Sequence, residues 1–208
     1  MVGPYQVEYA PIFPKRYLNF IYYFDSLIPN MQFQGKTNEY LSLVDISSEN
    51  CHLLKSALES SLSILWNLEA GTELIIDGVS YSLEANEVIF LTEFHKVETL
   101  KVKPMRMVRF NRSFYCILDH DSEVSCKGLL FYGASTVPRI ALPEAELEKF
   151  EIFWKMFNLE MQSRDKLQIE MLQMMLKRFI ILCTRLIKEQ NHQIQLEHHT
   201  IDLIREFN

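Results

Sequence analysis

Histidines, cysteines and clustered acids carry most protein chemistry, and this chain spreads them thinly. The densest group is Asp119, His120, Asp121 and Glu123. Such a mixture of imidazole and carboxylate suits a divalent metal. These residues fall between two apolar runs, where an exposed turn is predicted, so solvated turn residues are the default reading. His95 follows a short strand pattern and could hydrogen-bond a ligand or titrate near neutrality; set against that is the ordinary histidine satisfied by its own fold. His192, His198 and His199 lie on the last helical pattern, where sequence neighbours point in different directions and do not converge on one metal. The four cysteines, Cys51, Cys116, Cys126 and Cys183, include no close pair of the kind that holds zinc or exchanges disulfides. They read as reduced, buried thiols. No Gly-X-Ser-X-Gly elbow or His-Glu-X-X-His helix occurs, and six glycines leave little material for a phosphate loop. The expectation is a chain with no catalytic residue, no cofactor and no metal.

The elements that would position these residues change character once along the chain. From residue 62 to about 133, short apolar runs are broken by turn residues every eight to twelve positions, the spacing of an all-β sandwich or barrel. Seven strands are expected: Ser63–Leu68, Glu73–Ile76, Val79–Leu83, Val88–Leu91, Val97–Val102, Met105–Phe110 and Ser113–Leu118. Asp77-Gly78 is a strong hairpin signal between the second and third. In Val97–Val102 the alternation puts Val97, Thr99 and Lys101 on one face and Glu98, Leu100 and Val102 on the other. Before residue 62, Tyr40–Ile46 is a strand candidate and Gly3–Pro14 reads as extended. The aromatic run Tyr17–Phe24 has no clean period and fits either a helix or a covering strand.

After Pro143 there is no Gly or Pro, and helix formers dominate. Glu144, Glu146 and Glu148 place acids at the positive end of a helix dipole. That helix is expected to end near Gln162, with a second over about Arg164–Gln190 and a third from about Leu196. On the second, Leu172, Met175, Phe179, Leu182 and Leu186 recur at three-and-four spacing, and Leu176, Ile180, Cys183 and Ile187 widen the stripe. So broad an apolar arc predicts packing against both its own domain and a dimer mate.

A length of 208 residues at 48% hydrophobic content supports one sizeable core with a helical annex. The formal charge of −6 gives no Lys/Arg excess for phosphate contacts, so DNA binding by this stretch is not expected. The longest apolar run, Phe179–Cys183, is far short of the roughly 20 residues that cross a bilayer. The opening residues lack a signal-peptide pattern, and a cytoplasmic protein is expected.

Several long phrases look like stretches of known regulators. Phe110-Asn111-Arg112-Ser113-Phe114-Tyr115-Cys116-Ile117, then His120 to Gly133, resemble a segment of bacterial AraC-type transcription regulators. Met171 to Leu186 and the closing Asp202 to Asn208 resemble the helices preceding the DNA-binding module of that family. The resemblance covers about residues 62 to 208. It implies an α+β fold: a cupin-like barrel of the jelly-roll type over residues 1–142, with a helical dimerisation and linker section over 143–208. It also implies a homodimer that senses a small-molecule effector. DNA would be bound only through a helix-turn-helix module that these residues do not contain.

On that reading the barrel interior is the candidate ligand pocket, with Trp66, Tyr81, Phe90, His95 and Phe110 as expected liners and ordinary core as the plainer role for each aromatic. Leu172, Met175, Phe179, Leu182 and Leu186 are the expected dimer interface. Two rivals stand beside the sensor. One is a cupin-like metal enzyme of isomerase or dioxygenase type, which would need a histidine pair that Thr72–Asp77 does not contain. The other is a ligand-free dimerising scaffold with a filled core.

Overall fold

The computed structural model describes residues 31–55, 61–117, 127–132 and 136–206, with side chains of the last helix described as far as Asn191. Among the described residues the strands are β1 (Met31–Gln34), β2 (Tyr40–Ile46), β3 (Ser61–Asn67), β4 (Thr72–Ile76), β5 (Val79–Leu83), β6 (Glu87–Leu91), β7 (Val97–Lys101), β8 (Met105–Asn111) and β9 (Arg139–Ala141). Two helices follow, α1 (Glu144–Met161) and α2 (Gln168–Glu206). The strands form two antiparallel sheets, one of six in the order β1-β2-β8-β3-β6-β9 and one of three in the order β5-β4-β7. The α+β class therefore stands, as two open sheets and two helices.

Turn chemistry sets much of this layout. Asp77 (φ 51°) and Gly78 (φ 81°) both adopt the left-handed conformation a tight hairpin demands, and Asp77 Oδ1 also accepts the Lys96 N–H at 2.8 Å. At the other end of the hairpin, Asn67 is fully buried and acts as a polar hub. Its Nδ2 donates to the carbonyls of Glu69 (2.6 Å) and Glu84 (2.7 Å), while its Oδ1 accepts the Thr72 hydroxyl at 2.7 Å. A satisfied buried amide of this kind fixes where the chain leaves one sheet and enters the other.

The sheets and helices make three layers. Between the two sheets lies an aliphatic core of Ile46, Leu65, Leu74, Ile76, Leu83, Ile89 and Met107, among others. On the opposite face of the six-stranded sheet an aromatic core joins Trp66, Phe90 and Phe110 to Phe150, Trp154 and Phe179 of the helices. β3, β6 and most of β8 are buried at every position because both of their faces are covered. The change of texture at Pro143 marks a change of secondary structure. It does not mark a separate core, since α1 and α2 complete the aromatic layer of the sheet.

Three expectations are corrected. The strand expected over residues 113–118 is absent as far as residue 117, because Asn111 ends β8: its Oδ1 accepts the N–H groups of Tyr40 and Phe114, each at 3.0 Å, and its Nδ2 donates to the Asn38 carbonyl at 2.6 Å. The second helix begins at Gln168, after an Asp165 turn in which Oδ1 accepts the Leu167 N–H at 2.7 Å. The separate helix expected from about Leu196 is instead a continuation of α2, which, with no Gly or Pro to break it, runs unbroken to Glu206. The short strands β1 and β9 escaped the sequence reading. Gly3–Pro14 and Tyr17–Phe24 lie outside the described residues.

Candidate functional site

Alternation along β8 sends its two arginines to opposite faces of the same sheet. Arg106 points with Val108 and Phe110 towards the helices. Arg109 points with Met105 and Met107 towards the three-stranded sheet.

Arg106 is enclosed. Its guanidinium lies 4.6 Å from the Trp66 ring centre and 5.3 Å from that of Trp154, and it forms a bidentate pair with Glu151 of α1 at 2.8 and 3.0 Å. Stacked cation and fork-to-carboxylate geometry together make this a rigid tie between sheet and helix.

Arg109 lies instead on the wall of a cleft of about 320 Å³ at the edge of the inter-sheet layer. The register places Ser42 and Ser63 directly opposite Arg109 on its two neighbouring strands, all on the cleft-side face. Arg109 Nε donates to Ser63 Oγ at 3.0 Å, and Nη2 reaches the Leu54 carbonyl at 3.5 Å. Burial pushes this guanidinium below its usual pKa, the direction expected where solvation of a charge has been lost. Ser42 is 1% exposed, and its hydroxyl has no hydrogen-bond partner among the described residues.

Leu54, Leu65, Leu91 and Val97 give the cleft an apolar floor, and Ser61, Ser63 and Thr92 give it a polar wall. Lys55 and Lys96 stand exposed at its mouth with Glu93. The loop after β6 is held by its own bonds. Thr92 N–H donates to His95 Nδ1 at 2.9 Å and His95 N–H to the Thr92 carbonyl at 3.2 Å. Because Nδ1 accepts, the neutral imidazole carries its proton on Nε2. Phe94, at 75% exposure, is the aromatic rim of the cleft.

Of the expected pocket liners, only His95 lies on this cleft. Trp66, Phe90 and Phe110 occupy the other face of the sheet, where Trp66 meets Phe150 (5.9 Å between ring centres) and Phe90 meets Phe131 (5.6 Å). Tyr81 is half-buried beside the inter-sheet core, below the Arg139 guanidinium and away from the cleft. What the sequence reading missed is Arg109 with its serines. The available signal was parity: along β3 and β8, Ser61, Ser63 and Arg109 fall on the face opposite Trp66 and Phe110.

The expected dimer residues divide in a similar way. Leu172, Phe179, Leu182 and Leu186 are buried within the protomer, and Phe179 stacks on Phe153 with ring centres 5.1 Å apart. Met175 is half-buried at the rim of that core. The width of the stripe is thus satisfied by the sheet and by α1, without a second chain. The large apolar side chains that remain exposed on the helices include Ile152, Met156, Leu159, Met171 and Met174. Ile152, Met156, Met171 and Met174 line a groove of about 680 Å³ between α1 and α2.

Asp119, His120, Asp121, Glu123 and Cys126 lie outside the described residues, as do the side chains of His192, His198 and His199. Cys183 is fully buried, and desolvation pushes its thiol well above the ordinary range, which suits an inert core residue. No helix among the described residues is long and apolar enough to cross a membrane. No protein-family model matches the chain, and no curated protein matches it.

Proposed function

We propose that this chain is a small-molecule sensing module of the AraC type, a regulator's effector-binding and dimerising half built on a cupin-like sandwich. The observation that carries the reading is the two-faced strand β8, which lines a ligand-sized cleft with Arg109 and grips the helical layer with Arg106. Clefts of roughly 300 Å³ upward accept small organic ligands. A ligand that favours one position of β8 favours one position of α1 through the Arg106–Glu151 pair, and only such a difference in affinity shifts the helices. Further ties join α2 to the same sheet. Gln173 Nε2 donates to the Phe114 carbonyl just past β8 at 2.6 Å, and Gln190 Nε2 donates to the Ala141 carbonyl in β9 at 2.7 Å.

The partner in this reading is a second copy, seated on the methionine-rich groove between α1 and α2. Contiguous exposed apolar side chains of this kind mark association surfaces. DNA is reached through a module outside these residues.

Thermal melting against a panel of small organic acids, sugars and aromatic amines tests the reading. Hits should raise the Tm of the wild type and should vanish in Ser63→Phe, which fills the cleft. Hits that persist in Ser63→Phe would place binding elsewhere and sink the sensor cleft. Hydrogen exchange in α1 should slow with each genuine ligand. Exchange confined to the cleft would leave a binding protein without signalling.

A further inference from the structure

Of the nine methionines in the chain, four line the groove between α1 and α2. We infer that three of them, Met156, Met171 and Met174, form a reversible oxidation site through which peroxide controls the pairing of two copies. This rests on the groove being the dimer surface proposed above.

Exposure separates these sulfurs from the others described. Met174 is 66% exposed, Met156 51% and Met171 42%, whereas Met105 and Met107 are buried between the sheets and Met31, Met161 and Met175 are half-buried. A thioether must meet the oxidant at its sulfur, so the exposed three react first. Helix geometry gathers them. Met171, Met174 and Met175 are three and four residues apart on one face of α2, and Ile152 and Met156 stand one turn apart on α1 across the groove. No described cysteine lines the groove to intercept the oxidant there.

Residue type matters as much as position. Leucine would make the same wall apolar with better-defined rotamers; methionine adds a soft, adaptable surface and a sulfur whose polarity can change. The sulfur lone pair attacks one peroxide oxygen and the O–O bond breaks. Sulfur is oxidised by two electrons and keeps that oxygen, while the other oxygen leaves as water with both peroxide protons. Each thioether becomes a polar sulfoxide that accepts hydrogen bonds, and Lys149 and Arg178 stand exposed on the same groove as donors. Covering this wall with a second copy then strips water from the S–O dipoles without replacing every hydrogen bond, which opposes association. Pairing in turn shields the sulfurs, so oxidation and association compete for one surface. Reductases specific for each sulfoxide epimer make the change reversible.

The test treats the full chain with hydrogen peroxide, follows each methionine by peptide mass spectrometry and reads self-association by light scattering over a dilution series. In dilute protein Met174, Met156 and Met171 should gain oxygen at least about tenfold faster than Met105 and Met107. The dimer dissociation constant should rise at least about tenfold, and a pair of methionine sulfoxide reductases covering both epimers should restore it. The triple variant Met156→Leu, Met171→Leu, Met174→Leu should pair like the wild type and go on pairing after peroxide. Circular dichroism melts at dilutions where each sample is monomeric should match for the oxidised chain, the variant and the untreated wild type, since the three side chains lie outside the core. Groove methionines that react no faster than the buried pair overturn the site. Sulfoxides at all three that leave association unchanged overturn the control of pairing and leave the dimer groove standing. Dissociation that comes with unfolding, or that persists in the triple variant, places the effect elsewhere and also overturns the inference. A wild type that is monomeric before any treatment removes the dimer surface and the inference with it.

Discussion

The two faces of the six-stranded sheet differ in kind, and Arg106 and Arg109 show how. They stand three residues apart on one strand and are equally buried, at 6% exposure each. Arg106 meets a carboxylate and two indole rings in an aromatic layer with little room to move. Arg109 meets a serine hydroxyl and a backbone carbonyl beside an open cleft. A fork paired with a carboxylate has its charge answered inside the protein and serves to hold layers together. The Arg109 fork, bonded to a hydroxyl and a carbonyl, instead forms part of the wall of a cleft.

The largest effect that sharpens this contrast belongs to the aromatic face. Phe179→Ala should cost about 3–5 kcal/mol in urea unfolding, because the ring fills space between Phe150 and Phe153. Light scattering should show that variant in the same oligomeric state as the wild type. A loss below about 1 kcal/mol accompanied by dissociation of a dimer would return Phe179 to an intersubunit role.

Next comes the tie itself. Glu151→Ala leaves Arg106 buried without its main partner, and a loss of about 1–3 kcal/mol is expected, moderated because the Glu151 side chain is 39% exposed. If the variant melts like the wild type, Arg106 is not the brace described above.

Arg109→Met should be gentler than Phe179→Ala, costing about 1–2 kcal/mol, because it leaves Ser63 Oγ and the Leu54 carbonyl without the donors the guanidinium supplies. A collapse of stability in this variant would erase the distinction between the two arginines. Smallest of all, Met156→Glu with Met174→Glu should leave unfolding within about 0.5 kcal/mol when compared at dilutions where the wild type is monomeric, since both side chains are more than half exposed. Light scattering on that double variant should read a monomer where the wild type reads a dimer. A wild type that is already monomeric at high concentration removes the homodimer from the proposal.

How much of this was legible in the sequence depended on whether a residue's surroundings were local. The Val79–Leu83 and Tyr40–Ile46 strands fall where the sequence reading put them, and the Asp77-Gly78 turn has the backbone its residues demand. In β7 the alternation was also visible, with Leu100 outward at 62% exposure. The central strands were different. Runs such as Ile64-Leu65-Trp66 and Val88–Leu91 are buried on both faces, so hydrophobic period cannot say which residue faces which layer. That silence is why Trp66, Phe90 and Phe110 were expected in the pocket. It is also why Phe179 and its neighbours were expected at an interface, since one wide stripe looks the same whether a sheet or another chain covers it. Ser113–Ile117 misled for a related reason: Phe114, Tyr115 and Ile117 are buried in the aromatic layer from an irregular segment.

β3 has a consequence for dynamics. It lies inside the six-stranded sheet between β8 and β6, with a layer on each face and every residue buried. Amide protons on such a strand trade with solvent only when the whole protein opens. The deuterium uptake of Ile64, Leu65 and Trp66 in plain buffer is therefore an internal gauge of global stability. Any molecule that binds the folded chain should slow that uptake by the same factor by which it stabilises the fold.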